Sequence, residues 1–499
     1  FSADMENRLR PGLTITNIPL MGDGSVDQRA MNFDGVERVR NEQFENRYSA
    51  RAGMDVPLGL VKIKFGSSLL YTQSERRYEE ATLSTLRRFN LIRFQKLPRS
   101  SFDVYGRYYF PDMINTDLAA RYVDTSRPDM RLSEDDMFRR SLIRNYETDE
   151  MILGGYFMAI ANIGPMDVAG GVRAELTRAD YTGRNVLFNQ FRFFESSVDA
   201  TSSVEYLDLF PYARIAYSPS DHTNIRLAFT KSLERQGHDV LTPFELIIPA
   251  DTLRFKGNPD LKPVLSDNID LGIDHFINGH GYVSLGLFFK RMTNFVMLTE
   301  QIVNETEFPF LQPDQDGGLD VNERSYQNID TNIELMGVTV SWQQHLSFMP
   351  GLFRYFSFNT NYTWSYSDKS DKRNPGDFYL QYQSPHVVNA ALMYSQNRTS
   401  VQVAWHWSAP SLYKKATELQ WAPEINQINP VYLDLYEDGW MDLSVNFGFR
   451  VSDRFRFWAN VQNLLTDDLA LYGDSPDAYA YDSIRRNGVK VSAGIKFTY

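Results

Sequence analysis

The sequence predicts an all-β chain: a transmembrane antiparallel β-barrel with short periplasmic turns and long extracellular loops. Three observations carry that expectation. Apolar and polar residues alternate with a period of two from near Asn46 to the end, and the charged ones keep to one parity. Tight turns rich in Gly, Pro, Asn, Asp or Ser alternate with long connections. No run reaches the ~18–20 consecutive apolar residues of a membrane helix. The nearest, Met151 to Ile163, is too short and contains Gly and Asn.

Taken in order, Tyr48, Ala50, Ala52, Met54 and Val56 oppose Ser49, Arg51, Gly53 and Asp55, and the chain turns at Pro57-Leu58-Gly59. Val61, Ile63, Phe65, Leu69 and Tyr71 then oppose Lys62, Lys64, Gly66 and Ser68, a hairpin with one apolar face. The segment from Leu83 to Arg144 has no such clarity. A second hairpin turns at Gly164-Pro165, with Val168, Val172, Ala174 and Leu176 against Asp167, Arg173, Glu175 and Thr177. Further turns fall at Ser218–His222, Asn278–Gly281, Met349–Leu352, Ser395–Arg398 and Val451–Arg454. Between them lie long stretches that read as irregular: Leu233–Ser266, Met292–Asn332, Ser367–Ser384, Ala409–Asp438 and Thr466–Asn487. A soluble sandwich has water at both ends and no reason to keep its tight turns at one of them. An outer-membrane barrel has short turns on one side and long loops on the other. About 16–17 strands are visible in this way.

Composition agrees. The 499 residues are 14% aromatic yet 23% charged, with a mean hydropathy of -0.40, the balance of an apolar lipid face, a polar lumen and wet loops. The absence of Cys excludes disulfides, thiolate catalysis and Cys-ligated metals, and suits passage through an oxidising periplasm. A net charge of -12 without a basic stripe argues against a nucleic-acid partner. The chain starts at Phe1 with no signal-like region after it, so either a signal has been removed or the chain is a fragment.

Little in the sequence points to catalysis. His222, His238, His275, His280, His345, His386 and His406 form no metal-ligand spacing, and there is no nucleophile elbow, phosphate-cradling loop or paired-carboxylate motif. An enzyme is not expected, and no cofactor beyond one candidate ion. Asp314, Asp316 and Asp320, with Gly317 between them and Glu323 within reach, resemble part of a calcium loop. The twelve-residue pattern is incomplete, and a solvated acidic turn is the plainer alternative. The late loops are rich in rings: Trp407, Tyr413, Trp421, Tyr436, Trp440 and Tyr472, with Tyr432, Tyr479 and Tyr481 nearby. Such rings can stack on a sugar or another flat ligand while Asp and Glu take its hydroxyls. They can equally form an interfacial belt.

The chain ends inside a strand, Val489 to Tyr499, whose apolar parity (Val489, Val491, Ala493, Ile495, Phe497, Tyr499) opposes a polar or small one. In a barrel that parity faces lipid, and the strand must pair with the first, because unpaired backbone in hydrocarbon costs several kcal/mol per group.

Several blocks are similar in letters, order and spacing to the barrel of TonB-dependent outer-membrane receptors. They are "GVRAELT" (171–177), "LFPYARIAYSP" (209–219), "GNPDLKP" (257–263) followed by "SDNIDLGIDHF", and "FRFWANVQNLLTDD" (455–468). The resemblance covers residues from about 145 onward. It implies a cell outer membrane location, surrounding lipid, a barrel of about 22 strands around an N-terminal plug, and uptake driven by the inner-membrane TonB complex. It also implies that the terminal aromatics Phe497 and Tyr499 are read by the barrel-insertion machinery. Neither plug nor TonB box is found and the strands fall short, so residues 1–499 are expected to be the C-terminal portion of a longer receptor. A plugless passive porin and an adhesion or scaffold barrel are the alternatives. For the cargo, acidic aromatic loops favour a glycan or peptide, with a surface lipoprotein lid as a partner. A shortage of Arg and Lys clusters disfavours chelated iron or a corrinoid.

Overall fold

A computed structural model describes residues 9–10, 32–90, 102–104, 108–110, 130–277, 279–306, 308–309, 319–369, 380–414, 435–466, 469–473, 481–485 and 488–497. Its main body is an antiparallel meander in which each strand pairs with the next. The first half runs β1 (Asn32–Leu58), β2 (Val61–Asn90), β3 (Tyr146–Ile163), β4 (Met166–Phe188), β5 (Phe194–Ser220), β6 (Thr223–Glu234), β7 (Val264–Ile277) and β8 (Gly281–Thr293). The second runs β9 (Ile333–His345), β10 (Phe356–Lys369), β11 (His386–Gln396), β12 (Thr399–Ser408), β13 (Trp440–Arg450), β14 (Phe455–Gln462) and β15 (Lys490–Phe497). Among the described residues no ladder joins β1 to β15.

The tight turns lie where the sequence places them. Gly59 and Gly164 take the left-handed conformation that a two-residue hairpin turn demands, with φ of 62° and 57°. The connection before β10 is longer and carries a 3-10 turn, Gly351–Tyr355.

Exposure is inverted relative to a soluble protein. Along β5 the odd residues from Thr201 to Tyr217 are exposed and the even ones are half covered. The exposed set contains Leu207 at 62% and Leu209 at 55%. The covered set contains Tyr206, Asp208 and Arg214. A water-soluble sheet hides its apolar face; a barrel wall turns that face to hydrocarbon, where an Arg or Lys costs roughly 2–4 kcal/mol. Register keeps this sorting intact from strand to strand. One row of paired residues reads Tyr217, Ile225, Ile273, Leu285, Val340, Tyr362, Val388, Trp407 and Met441, apolar or aromatic across nine strands. A one-residue slip anywhere along it would put polar side chains into lipid.

The long connections are not irregular as the sequence suggests; several build sheet of their own. Glu245–Ile248 pairs in parallel with Asn185–Leu187 of β4, and antiparallel with Leu253–Lys256. That second segment pairs in parallel with Leu319–Asn328, whose hairpin partner is Val296–Glu305. The hairpin alternates like a barrel strand but stands outside the meander, since β8 pairs directly with β9. Among the described residues fifteen strands make up the meander, where the sequence shows 16–17. A further small sheet joins Ser411–Lys414, Leu435–Glu437, Leu469–Gly473 and Tyr481–Arg485.

In the poorly read segment before β3 sits a helix, α1 (Glu134–Ser141). Ser133 caps it, acidic residues open it, and Arg139 and Arg140 close it, all matching the helix dipole. Arg140 and Arg144 both reach Glu80 of β2, which is 1% exposed, at 2.6 and 3.0 Å.

Candidate functional site

With the apolar parity facing lipid, the opposite parity lines the lumen and carries the polar side chains. Two stretches of that inner wall differ in kind.

On β4 to β6 the wall is ionic. Arg173 Nε donates to Glu175 at 2.8 Å, and its guanidinium also donates to Ser68 at 3.0 Å. From the other side Arg235 donates to Glu175 and Thr177, both at 3.0 Å. Arg235 opens the connection after β6, so this clamp draws residues 235–263 over the inner face. His238 meets Thr148 at 3.2 Å, and Leu241 and Leu261 cover Ala179 and Tyr181. Where β3 leaves β4 after the Glu147–Thr182 pair, Glu245–Ile248 takes over its edge. An apolar core then forms from Val186, Phe188, Phe244, Leu246, Ile248 and Phe255. Gly183 and Gly257 permit the seating, because a Cβ at either would collide with Thr242 or Pro243. The outer end of this segment is ionic too. Arg254 pairs with Glu245 and Glu305, and Lys256 with Glu323 at 2.7 Å. Burial disfavours the Glu323 carboxylate, but the Lys256 hydrogen bond and charge, the Gln301 amide and the Arg254 charge outweigh it and hold its pKa below the ordinary 4.5.

On β9 to β13 the wall is almost uncharged. Its row reads Ser341, Asn361, Asn389, His406 and Asp442. Asn389 Nδ2 donates to Asn361 at 2.9 Å, and His406 Nδ1 lies 2.6 Å from Asn389 Oδ1. Asp442 accepts from Ser444 and from the Asn463 backbone, both at 2.8 Å. The Trp440 ring stands 5.0 Å from the His406 ring.

The ring pool of the late loops separates accordingly. Trp407 belongs to the outward apolar row, while Trp440 pairs with Ser408 on the inner parity. Tyr413, Tyr436 and Tyr472 come together in the small external sheet, where Tyr436 and Tyr472 are register partners and the Tyr413 ring lies 5.6 Å from that of Tyr382. Trp421 lies outside the described residues, as do Asp314 and Asp316 of the calcium candidate. Asp320 accepts from Asn304 at 3.0 Å, and Glu323 is engaged as above. Among the described residues no three His, Asp or Glu side chains are grouped to hold a metal. Phe497 packs 4.8 Å from Phe455; Tyr499 is outside the described residues. The sequence did not single out Asn361, Asn389 or His406, because only the register shows that they share a row.

One cavity, of about 570 Å³, is lined by Arg40, Glu42, Arg77, Glu147, Arg184 and Asp199 among others. These share the outward parity of Met54, Phe65 and Leu153, while Arg76, Tyr78 and Tyr146 of the opposite parity also line the cavity, which lies where β3 begins between β2 and β4.

Comparison with known proteins matches this architecture. Residues 10–464 match the family model described as TonB dependent receptor-like, beta-barrel. Similar solved structures include the ferric-catecholate import receptor Fiu from E. coli K12 (TM-score 0.54, 12% identity, 93% of this chain and 55% of that one). The copper transporter OprC gives 0.54 and 13%, with 93% and 58% covered. The FpvAI–pyocin S2 complex gives 0.56 and 12%, with 96% and 50% covered. This chain therefore spans little more than half the length of those it resembles, and at such identities the likeness speaks for the fold alone. No curated protein matches it. The match over most of its length, on a wall sorted into lipid-facing and lumen-facing rows, makes this chain a member of the TonB-dependent receptor β-barrel family.

Proposed function

We propose that this chain is the C-terminal barrel portion of an outer-membrane receptor for TonB-dependent nutrient uptake, and that it performs no catalysis. Cargo is captured by the external loops and drawn through the lumen, with energy from the TonB complex. The span of about half the related solved chains supports a longer receptor.

The cargo is a glycan or peptide rather than an anionic iron chelate or corrinoid. The observation that supports this choice is that several of the described cations on the external segments and upper wall are paired with carboxylates. Arg235 faces Glu175, Arg254 faces Glu245 and Glu305, Lys256 faces Glu323, Arg192 faces Asp251, and Arg324 faces Glu300. Capture of an anion needs cations it does not share with carboxylates. A lipoprotein lid and a calcium ion at Asp314, Asp316 and Asp320 remain part of the proposal, the latter tested by calcium-dependent thermal stability.

Deleting the gene should impair growth on an oligosaccharide or peptide source and leave iron-limited growth unchanged, and removing TonB should reproduce the defect. A defect confined to iron limitation would sink the cargo assignment. High conductance of the full-length receptor in planar bilayers would instead favour passive diffusion. Removal of Phe497–Tyr499 should abolish surface assembly, checked by surface labelling.

A further inference from the structure

We propose that the recess in the lumen wall below Trp440 binds one pyranose unit of a neutral oligosaccharide; this rests on the glycan arm of the proposed function. The recess, about 140 Å³, is made by small residues in one row and polar residues in the next. Its floor is Ala391 and Ala404, register partners with Asn359 beside them. Its rim is Asn389, His406 and Asp442.

The hydrogen bonds of the rim determine what it can offer. Asn389 Nδ2 donates to Asn361, so its Oδ1 is the acceptor for His406 Nδ1–H. With Nδ1 as the donor, the neutral imidazole of His406 has Nε2 as an acceptor. Asn361 Nδ2, next to the rim, and the Asn359 amide in the lining are donors without a side-chain partner among the described residues. Each Asp442 oxygen accepts one bond and keeps a second lone pair. Donor and acceptors thus recur at strand spacing, about 4.8 Å, close to the span of hydroxyls across a sugar ring. The Trp440 ring, 5.0 Å from the His406 ring and tilted 50° to it, stands beyond the rim and offers an apolar face to the outer edge of a pyranose that fills the recess. No Arg or Lys lines the recess, and Asp442 repels anions, so a neutral polyol fits where a carboxylate or phosphate does not.

Cellohexaose, maltohexaose and xylohexaose, titrated calorimetrically against the full chain in detergent, test this. At least one should bind. Ala404→Leu fills the floor without touching a polar group and should weaken binding by at least about tenfold, as should Trp440→Ala, while Trp440→Phe keeps most of it. Asn359→Leu, which narrows the recess from the far side, should repeat the loss if Ala404→Leu misfolds by circular dichroism. Unchanged binding in the folded variants overturns the recess and leaves glycan uptake standing. Failure of all three sugars to bind overturns the recess, and the growth phenotype then decides separately whether glycan uptake survives.

Discussion

The two stretches of inner wall are built from the same alternation and do opposite things. At β4 to β6 the lumen side carries Arg173, Glu175 and Arg235, and the wall is covered by residues 235–263. At β9 to β13 it carries amides, an imidazole and one carboxylate, and a recess stays open. Charges on a wall pull loop segments onto themselves, because a half-covered carboxylate between two guanidiniums is better satisfied than an isolated one. Neutral groups bond along the wall and leave capacity for a visitor. On the proposed function the first region is thus a support and the second a surface for cargo.

The largest expected effect that tests this contrast is at Gly257. A side chain there collides with the Thr242 carbonyl and the Phe244 ring, so Gly257→Val should unseat residues 238–263 at a cost of roughly 1–3 kcal/mol. Trypsin cleavage after Arg254 should then appear in the variant and not in the parent, with hexasaccharide binding retained. Loss of sugar binding with no change in cleavage would break the division between the regions.

Glu175→Gln comes next. It keeps the shape and removes the charge between Arg173 and Arg235, and should cost about 1–2 kcal/mol because the site is partly open to solvent. Urea denaturation of the folded barrel measures it. The same change at Asp442 should leave denaturation nearly unaltered and lower sugar affinity instead.

Much of this contrast was legible in the sequence, but not its decisive part. The turn at Gly164-Pro165 and the parity of Arg173 and Glu175 follow from local pattern, since strand period and turn chemistry are short-range. The row Asn361, Asn389, His406 and Asp442 joins four strands, and strand tilt shifts each partner by an amount that no single segment encodes. Trp407 shows the same limit. Its alternation with Val401, Val403 and Trp405 is plain to see, yet its place in a lipid-facing row emerges only beside Val388 and Met441. Glu245–Ile248 read as loop because four residues are too few for a period, and its strand character is lent by β4.

The smallest predicted effect concerns pH at the outer end of the covered region. Glu323 has a folded pKa below its ordinary 4.5, so its pairing with Lys256 and Arg254 stabilises the hairpin fully above that value. The contribution is lost as pH falls through the lower, folded value, where protonation removes the acceptor charge. Amide exchange in Val296–Glu305 and Leu319–Asn328, corrected for intrinsic rate, should therefore hold steady from neutral pH to about 4.5 and quicken modestly below it. Glu323→Gln should exchange faster at neutral pH and flatten the profile. The uncharged row at Asn361, Asn389 and His406 has no carboxylate pairing of this kind, so exchange in β10 and β11 should stay level over the same acid window. An acid-induced change there, equal to that of the hairpin, would mean that the two walls open together and that the ionic region supports the neutral one directly.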